Sequence, residues 1–522
     1  MRRGFINCQI YNSSATALLC EENQIVRLGT NEEIESLLDS EDECVDIQGM
    51  FLCPGFVDSH MHLLELGYYL SNVQLANCHL KESLVTKLEN ALKNLKEGEW
   101  LIGRGYLEES FSEDIHIDKA LLDSISTEVP IVLTRGCGHV LVVNSKALEL
   151  AGIQEDYDEE DGYIDVENGI VKENAIQYIH HAQPKPSIAQ LEEYILKGSK
   201  YANACGITTV GSDDFLSITD SYKDPLDAFE KLSYQDRMTV RVNEQCEFEN
   251  IQAFASFLDD GYTFDVGNDY FRIGPLKLIV DGSLGARTAS LSRPYEDCPT
   301  VLGCKIIDDA DMERDIMLAN RFNMPTIAHC IGDDAVDHYL SVLKDNICEG
   351  NPLHHGIVHC QILRPDQIEK ICDMKLSCYI QSLFIDSDAS ILEKRVGKER
   401  ASTCYPFRTL MDGTLTSNGS DAPVEMPNVL KGIQLAVTRC SMTTPTASMN
   451  EKECMSVEQA LDSYTVKGAE QIFMEDRIGE IKEGYYADFV ILDKDITKIP
   501  VSEIAEAHVM MTVCDGRTVF EK

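Results

Sequence analysis

Eight short apolar segments, each followed by a longer stretch of helical composition, constrain the fold of this chain more than any other feature. The segments are rich in aliphatic and β-branched residues, and they read GMFLCPGFVDSH, GITTVGS, MTVRVNE, IGPLKLIVDGS, MPTIAHC, HGIVHC, LSCYIQS and GTLTSNGSDA. A repeated strand-then-helix unit is typical of a parallel sheet. Eight such units predict an α/β fold, a (β/α)8 TIM barrel.

The chain of 522 residues is too long for the barrel alone, because such barrels use about 250 residues. Strand-like runs broken by turns occupy both ends and predict a small composite β-sandwich of residues 1–52 and 478–522. The barrel is assigned to residues 53–75 and 196–477. Residues 76–195 are too many for a structureless loop, so they are predicted to form an inserted α+β subdomain.

The net charge is strongly negative, with 45 Lys and Arg against 88 Asp and Glu, which gives −43. Such a chain repels phosphate backbones and anionic lipid, so we expect neither a nucleic-acid nor a membrane partner. The 19 cysteines form no C-x-x-C motif, and no secretory signal is recognisable. We therefore expect a cytoplasmic protein with a small-molecule substrate, and a homodimer as the commonest oligomer.

The candidate chemistry lies at the predicted carboxyl ends of the barrel strands, where such barrels carry their active sites. His60 and His62 end the first strand, His329 the fifth and His359 the sixth, while Asp421 follows the eighth. His60 and His62 are two residues apart, so on a strand both point to one face. Imidazole and carboxylate suit zinc and similar ions. We predict a divalent metal centre of one or two ions, with zinc the first expectation.

Lys277 lies within the fourth predicted strand, which should be buried on both faces. A buried ammonium must pair, lose its proton or be modified. A neutral amine can add carbon dioxide to form a carbamate, which can bridge two metal ions. The alternative is an ion pair with Asp281 or another carboxylate.

Asp421 is the predicted catalytic residue. An aspartate beside a bound metal can ligate the ion, accept a proton from water and pass it to a leaving group. The alternative is an Asx turn before Pro423. Asp58, two residues before His60, is predicted to be a supporting or structural group.

Four further residues are predicted to contact substrate: His139, Glu173, Arg287 and Gln381. The simpler alternatives are a satisfied turn histidine for His139, an exposed helix residue for Glu173 and a structural ion pair for Arg287.

The segments PGFVDSHMH, KLIVDGSLGARTASLSRPY, AHCIGDDAV, VHCQIL and SNGSDAPV together resemble the motif series of the amidohydrolase superfamily. They are most similar to its amidohydrolase-3 branch, which includes N-substituted formamide deformylases. The resemblance extends over nearly the whole chain, through TRGCGHVLVVNSKALELAGI and GYYADFVILD. It implies a metal-dependent barrel hydrolase with a composite sandwich and an insert.

The resemblance also implies roles for single residues, by position in the motifs. His60 and His62 match the first-strand ligands, and Lys277 matches a fourth-strand lysine that is often carboxylated and bridging. His329, His359 and Asp421 match the fifth-, sixth- and eighth-strand ligands, and Glu173 matches a glutamate of the family. The segment GRGYLEES stands where the family usually has GWD, so the substrate does not transfer.

The sequence favours hydrolysis of a carbon–nitrogen bond, in a non-peptide amide or an N-acyl or N-formyl amine. One alternative is a one-metal deaminase of a cyclic amidine or aromatic amine, in which Lys277 stays unmodified. An alternative of another class is a metal-free binding barrel without catalysis. Zinc, iron, manganese and nickel all suit the predicted ligands.

Overall fold

The computed structural model describes residues 2–112, 116–136, 138–159, 162–444 and 448–522. The chain divides into two compact units, one of residues 1–66 and 191–522 and the other of residues 67–190. Among the described helices, none combines the length and the apolar character needed to cross a bilayer.

The predicted (β/α)8 barrel is confirmed in the first unit. Its eight strands, numbered in chain order, are β1 (Phe56–Met61), β2 (Ile207–Ser212), β3 (Arg241–Cys246), β4 (Phe271–Ile279), β5 (Thr326–Cys330), β6 (Gly356–His359), β7 (Ser377–Ile380) and β8 (Thr416–Asn418). They form one sheet in sequential order, and every neighbouring pair is parallel. Each strand overlaps one of the eight predicted segments.

The sheet closes between β1 and the residues that follow β8. The amide of Asp421 donates to the carbonyl of His60 (2.8 Å), and the amide of His62 donates to the carbonyl of Ala422 (2.8 Å). Between them the Ser420 amide donates to Asp58 Oδ1 (2.9 Å). A Cβ on Gly419 would lie 2.6 Å from the backbone N and O of His60, so this approach requires glycine. Closure therefore brings the first and last strand ends together.

Helices connect the strands and cover the barrel. Leu226, Phe229 and Leu232 recur every three residues and bury one face of the helix after β2, as expected for a surface helix. Two helices, Leu63–Ser71 and Ile188–Ala204, cross the boundaries between the two units in the chain. The other helices of this unit outside the sandwich are Lys223–Tyr234, Ile251–Asp259, Asp309–Arg321, Asp333–Leu343, Pro365–Asp373, Phe384–Asp388, Leu392–Ala401, Phe407–Gly413, Val429–Thr438, Val457–Ser463 and Val466–Gln471, with 3-10 turns at Glu451–Glu453 and Val501–Glu506.

Both ends of the chain form the sandwich. One sheet has the order Gln24–Gly29, Ala17–Glu21, Arg2–Ile6, Glu43–Asp46, and the other Gln9–Ile10, Phe51–Pro54, Phe489–Leu492, Val509–Cys514, Arg517–Glu521. The helix Asn31–Leu37 packs beside the first sheet. Phe5 and Phe489, from opposite ends of the chain, meet with ring centroids 5.0 Å apart. The two ends therefore share one core.

A buried cation network joins the sandwich to the barrel. Arg241, the first residue of β3, places Nε 2.8 Å from Asp488 Oδ2 and an Nη 2.8 Å from Asp515 Oδ1. Its side chain is only 2% exposed. A buried guanidinium needs such partners, because an unpaired charge in the interior is costly.

The second unit is built on its own seven-stranded sheet. The order is Tyr157–Glu159, Gly162–Asp165, Ile170–Glu173, Val140–Val143, Ile131–Arg135, Leu101–Tyr106, Val73–Gln74, and the helices are Lys81–Leu92, Lys119–Ile125, Ser145–Leu150 and Ile176–Ala182, with a 3-10 turn at Glu108–Ser110. Separate apolar clusters cover the two faces. This unit covers residues 67–190 and includes the strand Val73–Gln74, which pairs with Leu101–Tyr106. The predicted domain boundaries stay predictions.

Candidate metal centre

His60, His62 and Asp421 converge where the barrel closes. Nε2 of His60 and Nε2 of His62 each lie 3.3 Å from Asp421 Oδ1. The three ligand atoms lie within 4.8 Å of one another. β1 supplies both histidines, and the turn after β8 supplies the carboxylate.

In both histidines, the partner of the outer nitrogen, Nδ1, determines whether the inner nitrogen, Nε2, carries a proton or a lone pair. Nδ1 of His60 faces Gln245 Oε1 at 2.6 Å, and Nδ1 of His62 contacts the backbone carbonyl of Asp213. Both partners are acceptors, so both Nδ1 atoms carry the proton and both Nε2 atoms present lone pairs in the neutral rings. Two lone pairs and a carboxylate oxygen that converge require a cation between them. This donor set fits a divalent ion.

His329 and His359 form a second pair of converging nitrogens. His329 Nδ1 lies 2.9 Å from His359 Nε2. The outer nitrogens again face acceptors: His359 Nδ1 faces Gln381 Oε1 at 2.8 Å, and His329 Nε2 faces the Gly282 carbonyl at 3.2 Å. With both outer nitrogens protonated, the inner nitrogens are again lone pairs, and a proton or a metal ion must separate them. The His60 and His359 rings are 5.6 Å apart, so the two pairs adjoin.

Lys277 is buried, and its ammonium pairs with Asp213. Nζ donates to Asp213 Oδ2 at 2.7 Å, and the two side chains are 2% and 3% exposed. Burial alone would lower the pKa of Lys277, but the charge and hydrogen bond of Asp213 outweigh burial and raise it. Burial alone would raise the pKa of Asp213, yet Lys277 lowers it. Both shifts favour the ion pair, one of the alternatives that the sequence left open.

The charge on His62 and Asp421 follows from their contact. Burial alone would lower the pKa of His62, but Asp421 and Asp213 raise it to about 10. Burial alone would raise the pKa of Asp421, but contacts with His60 and His62 hold it well below its ordinary value. In the absence of a metal ion, protonated His62 therefore supplies the positive charge beside the Asp421 carboxylate.

Two residues of the centre have unusual backbone conformations. Asp421 has φ 59° and His359 has φ 83°, in a region that residues other than glycine seldom adopt. Both lie where a barrel strand ends and the chain turns. Such conformations persist where the surrounding structure fixes them, often at functional sites.

Two buried aspartates support the centre through backbone amides. Asp58 holds Ser420 across the barrel closure, as described above. Asp281 Oδ1 accepts from the amide of Ile331 at 3.0 Å, and Oδ2 accepts from those of Gly332 and Ser290 at 2.8 and 2.9 Å. Burial nevertheless raises the pKa of Asp281 to about 7. Asp281 thus ties the loops after β4 and β5 together and is not the partner of Lys277.

Arg287 and Gln381 both have protein partners. Arg287 forms a two-pronged ion pair with Asp297, with Nε and an Nη at 3.0 and 2.9 Å from its carboxylate oxygens. Gln381 accepts from His359 and donates to the carbonyl of Tyr379 at 3.1 Å. Their predicted contacts with substrate stay predictions.

His139 and Glu173 lie together in the second unit. His139 Nδ1 is 3.2 Å from Glu173 Oε2, and both side chains are exposed. His139 directly precedes the strand Val140–Val143, and Glu173 ends the strand Ile170–Glu173, so Glu173 is not the helix residue of the alternative reading. The two strands pair in the sheet of that unit, with Val140 opposite Lys172. Their predicted role in binding substrate also stays a prediction.

Sequence reasoning missed two groups at the end of β3. Gln245 orients His60, and Glu247 lies within electrostatic reach of Lys277 and His62. Burial, reinforced by the charge of Asp213, raises the pKa of Glu247 to about 7. Their position directly after the segment MTVRVNE was the available signal, since it places them at the carboxyl edge of the barrel.

Comparisons with known proteins give a consistent result. The family model described as "Amidohydrolase family" matches residues 43–520. The protein YtcJ of Bacillus subtilis (strain 168), named as a candidate amidohydrolase, is 31% identical over 99% of this chain and 98% of its own. N-substituted formamide deformylase of Arthrobacter pascens is 21% identical over 98% of this chain and 96% of its own. An uncharacterized metal-dependent hydrolase from Pyrococcus furiosus superposes with TM-score 0.80 at 28% identity, over 95% of this chain and 100% of that one.

Proposed function

This chain belongs to the amidohydrolase family, and from that premise we propose that it is a metal-dependent hydrolase of carbon–nitrogen bonds. The proposed substrates are non-peptide amides, in particular N-acyl or N-formyl amines. The observation that carries the proposal is the convergence of two imidazole lone pairs and the Asp421 carboxylate at the carboxyl edge of the barrel.

The proposed ligands of a first ion are His60, His62 and Asp421. His329 and His359 would hold a second ion, and Lys277, carboxylated by addition of carbon dioxide to its amine, would then contribute a further oxygen ligand. While Lys277 donates to Asp213, its amine is not free for that modification. Zinc is the ion that we propose, because it binds imidazole and carboxylate with few demands on geometry.

A divalent ion held by these residues supplies Lewis acidity, which polarises a carbonyl group and makes hydroxide available near neutral pH. The side chains of the protein supply the rest. The low pKa of Asp421 keeps its carboxylate ionised, so it can accept a proton from water and return it to the departing amine nitrogen. Gln245 and the Asp213 carbonyl hold the β1 imidazoles in place.

The proposed substrate class draws support from the relative that is named for the deformylation of N-substituted formamides. We propose a small-molecule substrate and a homodimeric protein without nucleic-acid or membrane partners. Size-exclusion chromatography with light scattering tests the oligomeric state.

A second candidate activity is deamination of a cyclic amidine or aromatic amine at one ion. The Lys277–Asp213 ion pair favours it, because that reaction leaves the lysine unmodified. The products separate the two activities: a deaminase releases ammonia, whereas hydrolysis of an N-acyl amine releases a carboxylic acid and an organic amine.

The experiment begins with the metal content of protein purified without added metal. A panel of N-formyl and N-acyl amines is then assayed for released acid and amine, with zinc and with a chelator. Asp421→Asn should reduce the turnover rate at least 100-fold while the circular dichroism spectrum stays unchanged, because removal of a proton-transfer group lowers the rate about 10²–10⁴-fold. Asp412→Asn, an exposed helix residue, is the control. A protein without metal, or an active Asp421→Asn, would refute the proposal.

A further inference from the structure

Two buried glutamines stand behind two of the proposed ligands in the same way. Gln245 follows β3 by sequence pattern and lies within it in the structure, and Gln381 follows β7. Each side chain is 1% exposed. Each carbonyl oxygen faces Nδ1 of a histidine, His60 at 2.6 Å and His359 at 2.8 Å. The two contacts involve different pairs of strands, so the same arrangement occurs twice in the barrel.

The backbone fixes the orientation of both amides. Nε2 of Gln245 donates to the carbonyl of Ser59 at 2.8 Å, and Nε2 of Gln381 donates to the carbonyl of Tyr379 at 3.1 Å. An amide that donates through nitrogen must present oxygen on its other side. The histidine that faces this oxygen can form a hydrogen bond with it only when its Nδ1 is protonated and donates.

A glycine makes room for one of the two amides. A Cβ on Gly211, in β2, would lie 2.6 Å from Gln245 Nε2 and 2.4 Å from the carbonyl oxygen of Ser59. Any larger residue would displace this amide from its place between β1 and β2. The absence of a side chain at Gly211 therefore leaves the space that the Gln245 amide occupies.

We infer that Gln245 and Gln381 are positioning residues that lock His60 and His359 in the Nδ1-protonated tautomer, so that Nε2 faces the metal centre. The inference rests on the proposed metal-dependent function. Metal-binding histidines commonly donate their second N–H to a carboxylate, a backbone carbonyl or water. Here uncharged amides take that place and leave both imidazoles neutral.

The test uses zinc alone, titrated into chelator-stripped protein in competition with a chromophoric chelator. Gln245→Leu and Gln381→Leu should each weaken zinc binding about 10–100-fold, the usual cost of losing such a partner. Gln367→Leu is the matched control. Gln367 is also fully buried, but its amide donates to the Asp333 carbonyl and to Asp337 Oδ1. It should lower stability without changing zinc affinity.

Rescue separates positioning from packing. Gln245→Glu and Gln381→Glu keep an oxygen in front of Nδ1, so they should recover most of the zinc affinity that leucine loses. In cobalt(II)-loaded protein, each leucine variant should lose one slowly exchanging, paramagnetically shifted imidazole N–H resonance that the matching glutamate variant retains. This spectrum also reports on leucine variants that are poorly stable.

Unchanged zinc affinity and an unchanged cobalt spectrum in a leucine variant would overturn the inference for that glutamine. Equal losses in the leucine and glutamate variants would also overturn it, since packing would then explain both. A wild-type protein that binds no zinc would instead refute the proposed function, and this inference with it. Zinc binding without hydrolysis of any substrate leaves the positioning result standing.

Discussion

The buried Lys277–Asp213 pair predicts a large and asymmetric response to substitution. At 2.7 Å and an effective dielectric constant of about 20, the gross attraction is about 6 kcal/mol. Several kcal/mol per ion are lost on removal from water, so the pair as a whole contributes little. Removal of one partner leaves the other charge buried and alone, which costs about 3–5 kcal/mol.

Asp213→Asn and Lys277→Met should therefore each lower the free energy of unfolding by about 3–5 kcal/mol. The double variant should lose less than either, because no charge is left unpaired. The assay is urea unfolding followed by circular dichroism, with a chelator in every sample. Lys467→Met is the matched control. Its pair with Glu470 has a similar length, 2.8 Å, but is more than one-third exposed, so the loss should stay below about 1 kcal/mol.

The same two single variants and the double variant also report the chemical state of Lys277. A carbamate would place a negative charge opposite Asp213, and Asp213→Asn would then stabilise the protein by relieving repulsion. Stabilisation by Asp213→Asn, or a double variant that loses the sum of both single losses, would refute the ion pair as the state of the ion-free protein.

Four further predictions rest on contacts described above. Zinc binding at pH 8 should release at least one proton, because His62 is charged below a pKa of about 10 and must lose its proton to bind. Calorimetry in buffers of different ionisation enthalpy measures the release, and a proton count of zero contradicts the prediction. The raised pKa of His62 also makes stability depend on pH. In the ion-free protein, protonated His62 contributes its full stabilisation below pH 6.5 and loses it as the pH rises through about 10, which urea unfolding at a series of pH values measures. Arg241→Met should cost about 3–5 kcal/mol in urea unfolding, since buried Asp488 and partly buried Asp515 would lose their cation; a loss under 1 kcal/mol would argue against the network. Gly419→Ala should weaken zinc binding and destabilise the protein by about 1–3 kcal/mol through the clash with His60, whereas Gly285→Ala, which has open space, should change neither.

The sequence predicted the barrel and its strand ends well for a physical reason. Buried parallel strands form short apolar runs, and their carboxyl ends must meet at one edge of the sheet. His60 and His62 on one strand therefore pointed to the same place as Asp421, far away in the chain. The structure brings these three side chains together.

The partners of these residues could not be read in the same way. Asp213 and Asp281 are both aspartates at strand ends, and only their three-dimensional positions decide that Asp213 pairs with Lys277 while Asp281 binds backbone amides. Gln245 was missed because a glutamine in a strand has no pattern of its own. Its role depends on a 2.6 Å contact with His60, which no spacing along the chain encodes.

Closure of the barrel has a consequence for how the protein is made. The first two proposed ligands emerge from the ribosome near residue 60, but the third, Asp421, emerges only after seven further strands. The strand Phe51–Pro54 gains its second neighbour later still, because that neighbour is Phe489–Leu492. A nascent or truncated chain that stops before β8 lacks the carboxylate that completes the His60–His62–Asp421 site. Metal acquisition at the proposed site would therefore be a late event in biosynthesis, and an ion held by all three residues would show that synthesis has passed the last barrel strand.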